Sequence, residues 1–161
     1  MSLPNRRTVL FAPLALMACG FVPAYGPGGA SEGLQGRIRV ADPSDKLGFD
    51  LVERLEERLG RPDGARFDLA YSIVTATETL GVTPVDAITR YHLTGHIDWT
   101  LTNRETDQRA TGGRVQGFTA YSATGSTVAG LAAEQDAAFR LMRMLADQIV
   151  TRLIATSGTW A

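Results

Sequence analysis

The feature that most constrains the fold of this chain is an alternation of side chains within Ile88–Asn103, unbroken from Arg90 to Thr102. Every second residue is apolar or glycine: Tyr91, Leu93, Gly95, Ile97, Trp99 and Leu101. The residues between them are polar: Arg90, His92, Thr94, His96, Asp98, Thr100 and Thr102. A period of two residues is typical of a β-strand with one face buried and the other facing water. The chain must therefore supply a second layer that covers one face of a sheet.

Three further segments carry the same period and predict three more strands. They are Leu34–Val40, Arg66–Thr79 and Gln108–Ser122. A loop is predicted at Gly81–Ala87 and a polar hairpin turn at Asn103–Asp107. Three glycines weaken the alternation of the last strand and predict a bulge or close packing there: Gly112, Gly113 and Gly117.

Two segments have the period of an amphipathic helix. The first helix is predicted over Asp45–Leu59, before Gly60 and Pro62. Its spacing is marked by Phe49, Val52, Leu55, Glu56 and Leu59. The second helix is predicted over Val128–Ala155, and the residues that mark its inner stripe step by three or four: Leu131, Gln135, Ala138, Met142, Leu145, Ile149 and Leu153.

The order of these elements is β-α-β-β-β-α, which predicts an α+β two-layer sandwich. One apolar stripe on each helix and one apolar face on each strand place both helices on one face of a four-stranded mixed sheet. The helix between the first two strands allows them to run parallel, whereas short turns make the later pairs antiparallel. Residues 34–156 form this sandwich domain, and residues 157–161 form a short C-terminal tail.

The N-terminus predicts a bacterial lipoprotein signal peptide over residues 1–18. Arg6 and Arg7 precede Val9–Ala18, ten residues without a polar side chain. A membrane-spanning helix needs about 20 such residues, whereas a signal peptide needs about this many. The run ends in Leu-Met-Ala before Cys19, which resembles a lipobox with Cys19 as the lipidated residue. The alternative is an ordinary signal peptide cut near Ala18, with Cys19 a bystander.

Residues 19–33 are rich in glycine and proline and predict a tether between the lipid and the domain. Gly20 after the cysteine points to the outer membrane in the enteric sorting rule, and the choice between the general and the twin-arginine export route stays open. Removing Arg6 and Arg7 leaves 14 basic residues against 17 acids, a net charge of −3. This balance does not suggest nucleic-acid binding. A single cysteine allows no intramolecular disulfide.

No motif in the sequence predicts catalysis, a cofactor or a metal site. The two histidines, His92 and His96, lie four residues apart on one strand, which is roughly 13 Å and too far for one metal ion. There is no Gly-x-Ser-x-Gly elbow and no glycine-rich phosphate loop with lysine. The sequence therefore favours a binding module over an enzyme.

The polar face of the sheet offers a candidate binding surface. By parity it collects Arg37 and Arg39 on the first strand, Arg90 on the third and Arg114 on the fourth. Arginine suits bidentate contact with phosphate, so a sheet face left bare by the helices is a candidate anion-binding surface. The alternative is an ordinary solvated sheet face with scattered charges.

Several stretches carry a resemblance to a known family. They are Cys19–Gly26, Gly36–Val40, Leu55–Gly60, Tyr121–Ala129 and Leu145–Leu153. In this order, and with the β-α-β-β-β-α plan, the chain resembles the alphaproteobacterial branch of the LptE family of lipopolysaccharide (LPS)-assembly lipoproteins. The resemblance covers nearly the whole chain.

The resemblance implies a function and partners. Members of the family are anchored in the outer membrane by acyl chains such as palmitate, which here would be carried by Cys19. They plug the LptD β-barrel from the periplasmic side, help it assemble, and assist LPS insertion into the outer leaflet. A different outer-membrane lipoprotein, for example a pilotin or a small ligand-binding protein unrelated to LPS, is the alternative.

Overall fold

The structure, a computed structural model, describes residues 34–82, 88–122 and 126–160. The predicted signal peptide, the tether with Cys19 and most of the predicted loop at 81–87 lie outside these residues. The elements in chain order are β1 (Ile38–Val40), α1 (Lys46–Leu59), β2 (Phe67–Val82), β3 (Ile88–Asn103), β4 (Arg109–Ser122), α2 (Thr127–Thr156) and a short 3-10 turn (Ser157–Thr159).

The four strands form one mixed sheet in the order β1-β2-β3-β4. β1 runs parallel to β2, with Ile38 opposite Phe67. β2 and β3 pair antiparallel from the Phe67–Asn103 row onward, and β3 pairs antiparallel with β4. The predicted fold class and element order are confirmed. β1 and β4 are the two edges of the sheet.

The prediction was wrong about the length of the first strand. Leu34–Arg37 forms a turn, and the strand is confined to Ile38–Val40. Gly36 has a φ of +72°, which glycine adopts without strain, and its N–H donates to the carbonyl of Leu59 at 2.9 Å. The chain therefore bends to meet the end of α1 before it enters the sheet. β2 in turn is longer than predicted, because it continues to Val82.

The core lies between the two helices and one sheet face. Leu51, Leu55 and Leu59 of α1 are buried, and the parity predicted for β3 is confirmed by buried Ile97 and Leu101. The prediction was wrong for Phe49, which is 55 % exposed. At 100° per residue, Phe49 lies about 200° around the helix from Leu51, so it faces away from the buried stripe.

Both helices pack on the same sheet face, and two glycines set how closely α2 approaches it. Gly95 and Gly117 are opposite each other on β3 and β4. A β-carbon at Gly95 would lie 3.0 Å from Cδ2 of Leu141, and one at Gly117 would lie 3.3 Å from Cε of Met144. The predicted close packing on the last strand is thus confirmed at Gly117. The three glycines pair regularly, and the β3–β4 register shifts instead between Leu101 and Thr102, where Ala110 is the extra residue of β4, so the predicted bulge does not lie at the glycines.

Candidate functional site

The sandwich has two ends that differ in how the helices cover the sheet. At the closed end, defined by β1, α1 and the strand residues Phe67–Leu69 and Trp99–Leu101, the inner face is buried. The indole of Trp160 completes this end by packing edge-to-face on Phe67, with ring centroids 5.1 Å apart. This end is a packed core.

The open end is where the strands run past the helix layer. It is formed by residues 74–80, 90–93, 118–122 and 126–135. Large apolar side chains are exposed there: Val74 by 49 %, Leu80 by 40 %, Phe118 by 60 %, Val128 by 80 % and Leu131 by 56 %. Leu131 was predicted to face the core, but the first turns of α2 lie beyond its main contact with the sheet. Val74, Leu80 and Phe118 lie on the outer face of the sheet, whereas Val128 and Leu131 lie on α2 at the inner face, so the open end has an exposed apolar surface on each side. Such surfaces are typical of interaction sites.

Two tyrosines form the inner floor of the open end. Tyr91 and Tyr121 stack with ring centroids 5.1 Å apart. Together with Gly130, Leu131 and Glu134 they line a depression of about 450 Å³. Burial raises the pKa of the Tyr121 phenol, and the nearby Glu134 carboxylate acts in the same direction. Tyr121 therefore stays neutral at physiological pH and presents a partly apolar surface.

A second depression lies on the bare outer face of the sheet. It has a volume of about 570 Å³ and is lined by Val74, Thr94, His96 and Phe118 among others. His92 stacks on the exposed ring of Phe118, with centroids 5.1 Å apart. Within the described residues no three potential ligands are grouped to hold a metal ion. The two histidines are polar-face residues of the strand, as the sequence reading placed them.

The four predicted arginines do not converge. Arg39 lies on the β1 edge opposite Asp68, and Arg114 lies on the β4 edge opposite Asp98. Since strands are about 4.8 Å apart and residues about 3.3 Å apart along a strand, roughly 14 Å across the sheet and 13 Å along it separate these two. Arg90 lies roughly 26 Å further along β3 from Asp98, and Arg37 lies in the turn before β1.

The arginines also differ in whether their charge is already engaged. Arg114 donates from Nε and Nη2 to the two oxygens of Asp98, at 2.8 and 2.7 Å. This bidentate contact lowers the pKa of the Asp98 carboxyl. Arg90 is exposed at the open end, opposite Leu80 and Ser122, and makes no ion pair with any described residue. Of the two, Arg90 has the free guanidinium.

A charge network between the helices was missed by the sequence reading. The Asp147 carboxylate on α2 accepts from Arg54 at 3.0 and 2.9 Å and from Arg58 at 2.9 Å. Glu57 accepts from Arg54 at 2.9 Å and from Arg143 at 3.2 Å. Hydrogen bonds to Asp147 and Glu57 raise the pKa of Arg54. The i,i+4 spacing of Arg54 and Arg58 indicates two cations on one side of α1, but their shared partner, Asp147, is distant in sequence and could not be predicted from this spacing.

The length and hydropathy of α1 and α2 can also be compared with those of a membrane-spanning helix. Within the described ranges, neither helix combines the length and the apolar character that crossing a bilayer requires.

Comparison with known proteins identifies the family. The fold is shared with several solved bacterial lipoproteins, all under 25 % identical. One from Caulobacter crescentus CB15 has a TM-score of 0.67 and 22 % identity, and the match covers 83 % of this chain and 98 % of that one. Lipoprotein B from Nitrosomonas europaea has a TM-score of 0.60 and 15 % identity, with coverage of 86 % and 93 %. Rare lipoprotein B from Shewanella oneidensis has a TM-score of 0.57 and 14 % identity, with coverage of 75 % and 94 %.

The family model described as LptE, lipopolysaccharide-assembly, matches residues 36–153. The chain therefore belongs to the LptE family, and the predicted resemblance is confirmed. Among curated proteins no sequence matches this chain.

Proposed function

We propose that this protein is an outer-membrane lipoprotein that plugs the LptD β-barrel, helps it assemble and assists LPS insertion into the outer leaflet. The observation that carries the proposal is the family match over residues 36–153, because it includes all four strands, the first helix and nearly all of the second. In this proposal Cys19 of the lipobox carries the lipid anchor, and residues 19–33, rich in glycine and proline, are the tether between the lipid and the domain. The role is one of binding and assembly, without catalysis or a cofactor.

The open end is the surface we assign to LPS. LPS combines phosphate groups with acyl chains, so its binding surface needs cations beside apolar side chains. Arg90 meets this need, because its charge is unpaired among the described residues and the exposed Leu80 lies directly opposite it. Arg114 is a poorer candidate because Asp98 already holds its guanidinium. Arg37 and Arg39 lie at the closed end, away from the exposed apolar patch.

Affinity purification of the full-length protein from detergent-solubilised outer membranes tests the partner. We expect a large β-barrel to co-purify. Recovery of no barrel, under conditions that keep other outer-membrane complexes intact, contradicts the proposal. Depletion separates it from the alternative, since loss of surface LPS supports assembly of LPS, whereas loss of a secreted substrate supports a pilotin.

An LPS-binding series tests the surface. Arg90→Ala removes a charged hydrogen-bond donor worth about 1.5–3 kcal/mol, so LPS binding should weaken about tenfold or more. Arg114→Ala is the matched control and should weaken it less than twofold. Both arginines lie on the bare face of the sheet, so equal losses in the two variants would show that LPS contacts this face along its length and not mainly at the open end.

The anchor has its own test. Cys19→Ala should release the protein into the soluble periplasmic fraction, unless insertion into the barrel alone retains it. Mass spectrometry of the wild-type protein should find acyl chains on Cys19, and an unmodified thiol there contradicts the anchor.

A further inference from the structure

A groove runs along the flank of the domain, where α1 passes the free edge of β1. Its volume is about 560 Å³, and Val40, Pro43, Phe49 and Val52 form its apolar walls. Phe49 is 55 % exposed, although it is a large aromatic residue on a helix with a well-buried inner stripe. The ammonium of Lys46 lies 5.8 Å from the centre of its ring, but Lys46 also pairs with Asp50, so its charge is already engaged. The groove is thus an exposed apolar surface away from the open end.

The rim of this groove is acidic. Asp42, Glu53 and Glu56 line it and make no ion pair with any described residue. Glu57 also lines it, but its carboxylate is engaged by Arg54 and Arg143. Arg61 contributes one positive charge to the lining. The carboxylates outnumber the cation, so the groove attracts a positively charged partner.

The edge of β1 adds a backbone component. The Arg37 carbonyl accepts from Phe67 N–H at 3.1 Å, and Ala41 N–H donates to the Leu69 carbonyl at 2.9 Å. The backbone N–H and C=O groups of Arg37, Arg39 and Ala41 therefore point toward β2. The backbone groups of successive strand residues alternate in direction, so those of Ile38 and Val40 point away from β2, and Val40 is the β1 residue that lines the groove. An extended segment can add to such an edge through main-chain hydrogen bonds.

We propose that this acidic groove is a docking surface for an extended polypeptide segment that carries an apolar residue followed by basic residues on the same side. Lipopolysaccharide phosphates do not fit, because the unpaired carboxylates repel them. A chelated metal ion does not fit either, since no three potential ligands are suitably grouped in the described residues. The inference is independent of the proposed function, because it concerns a different surface and a ligand of opposite charge.

The spacing of the groove residues defines the segment. Phe49 and Glu53 are one helical turn apart, and Glu56 follows by three residues, so these side chains lie about 5–6 Å from one another in series. Same-side residues of an extended chain lie about 6.6 Å apart. A suitable probe is therefore the heptapeptide Thr-Leu-Thr-Arg-Thr-Arg-Thr, and its matched control replaces both Arg residues with Glu.

The test is an amide chemical-shift titration of the isotope-labelled mature protein, with Cys19 replaced by Ala, against each peptide at low salt. The basic peptide should shift amides of residues 38–42 and 49–56, and 0.5 M salt should reduce the shifts at least several-fold. The double variant Glu53→Gln/Glu56→Gln should abolish them, whereas the control Glu78→Gln/Glu105→Gln should retain them. Phe49→Ala should weaken them.

Any of the following outcomes overturns the inference. One is the absence of shifts with the basic peptide in a protein whose spectrum shows it to be folded. Another is an equal response to the acidic peptide. The third is a response confined to residues outside the groove, or one reproduced by Ca²⁺ alone. None of these outcomes alters co-purification of a barrel or LPS binding through Arg90, so failure here is distinguishable from failure of the proposed function.

Discussion

At the closed end, Ile38 and Leu101 lie under two helices and are almost inaccessible to solvent, whereas at the open end Leu80 and Phe118 belong to the same sheet and face water. Leu80 and Phe118 lie on the outer face of the sheet, opposite Arg90 and Thr94, and both helices pack on the inner face, so these two side chains stay uncovered. On the inner face, the two ends differ in how far the helices extend. α1 covers the closed end, and the buried residues of α2 begin at Ala137, ten residues into the helix. The first turns of α2 therefore carry exposed Val128 and Leu131.

This contrast separates stability from binding. Burial at the closed end contributes the hydrophobic free energy that holds the sandwich together, at about 25 cal/mol per Å². At the open end, comparable side chains lie outside the core and remain accessible to a partner. Substitutions at the closed end should therefore lower the stability of the fold, whereas substitutions at the open end should leave stability nearly unchanged and weaken binding.

The largest difference is expected between two leucines of α2. Leu145 is 0 % exposed and Leu131 is 56 % exposed, on nearly the same side of the helix. Leu145→Ala should lower the free energy of unfolding by about 2–5 kcal/mol, because it removes buried methyl groups and leaves a cavity. Leu131→Ala should change it by less than about 0.5 kcal/mol. Urea unfolding measures both, and equal losses would show that the open end is part of the core.

The glycine pair under α2 gives the next effect. Gly95→Val places carbons against Leu141 and the Val74 carbonyl, so it should cost about 1–3 kcal/mol through overpacking. Gly158→Val is the control, because no atom lies within 4 Å of a β-carbon there, and it should cost less than about 0.5 kcal/mol. Thermal or urea unfolding measures the loss of stability in the two variants. An unchanged Gly95→Val variant means that α2 can shift away from the sheet freely.

The interhelical charge network should contribute less. Asp147→Asn weakens the contacts with Arg54 and Arg58 that join α1 to α2, and should cost about 1 kcal/mol at low ionic strength. Asp136→Asn, which affects a pair within α2, is the matched control and should cost a few tenths. Adding 1 M salt should reduce the difference between the variants. A difference insensitive to salt contradicts an electrostatic origin.

The smallest effect concerns Glu57. The hydrogen bond from Arg54 lowers the pKa of Glu57 below its ordinary value of 4.5. A lowered folded-state pKa means that the carboxylate stabilises the fold above pH 4.5, and that this contribution is lost as pH falls through the lowered value. Wild type should therefore exceed Glu57→Gln in stability at pH 7, and the difference should shrink at pH 3. An unchanged difference would show that Glu57 acts without its charge.

The sequence predicted the sheet well because one strand dominates it. The alternation of Ile88–Asn103 identifies its buried face without knowledge of its neighbours, and the element order follows from turns and helix stops. The turn at Gly36 was missed because it depends on a contact with Leu59, which lies in another element. Leu131 was assigned to the core because periodicity does not report where a helix leaves the sheet. Phe49 was assigned there because of its spacing to Val52, although it faces away from the buried Leu51.

The candidate site was less predictable than the fold. Parity predicted four arginines on the polar face of the sheet, but Arg37 lies in the turn before β1, and parity carries no information about distance along the strands or about ion-pair partners. Predicting the Asp98–Arg114 pair would have required the register of β3 and β4. Predicting the exposed apolar side chains would have required knowledge of where α2 leaves the sheet. These properties arise from packing between distant segments.

Hydrogen–deuterium exchange of the mature protein with and without LPS tests most directly whether the open end is the binding surface and the closed end the structural one. LPS should slow amide exchange in residues 74–80, 90–93, 118–122 and 126–135, and leave α1 and Trp99–Asn103 unchanged. Slowed exchange concentrated in α1 or around Arg114, with none at the open end, would contradict this division of the molecule.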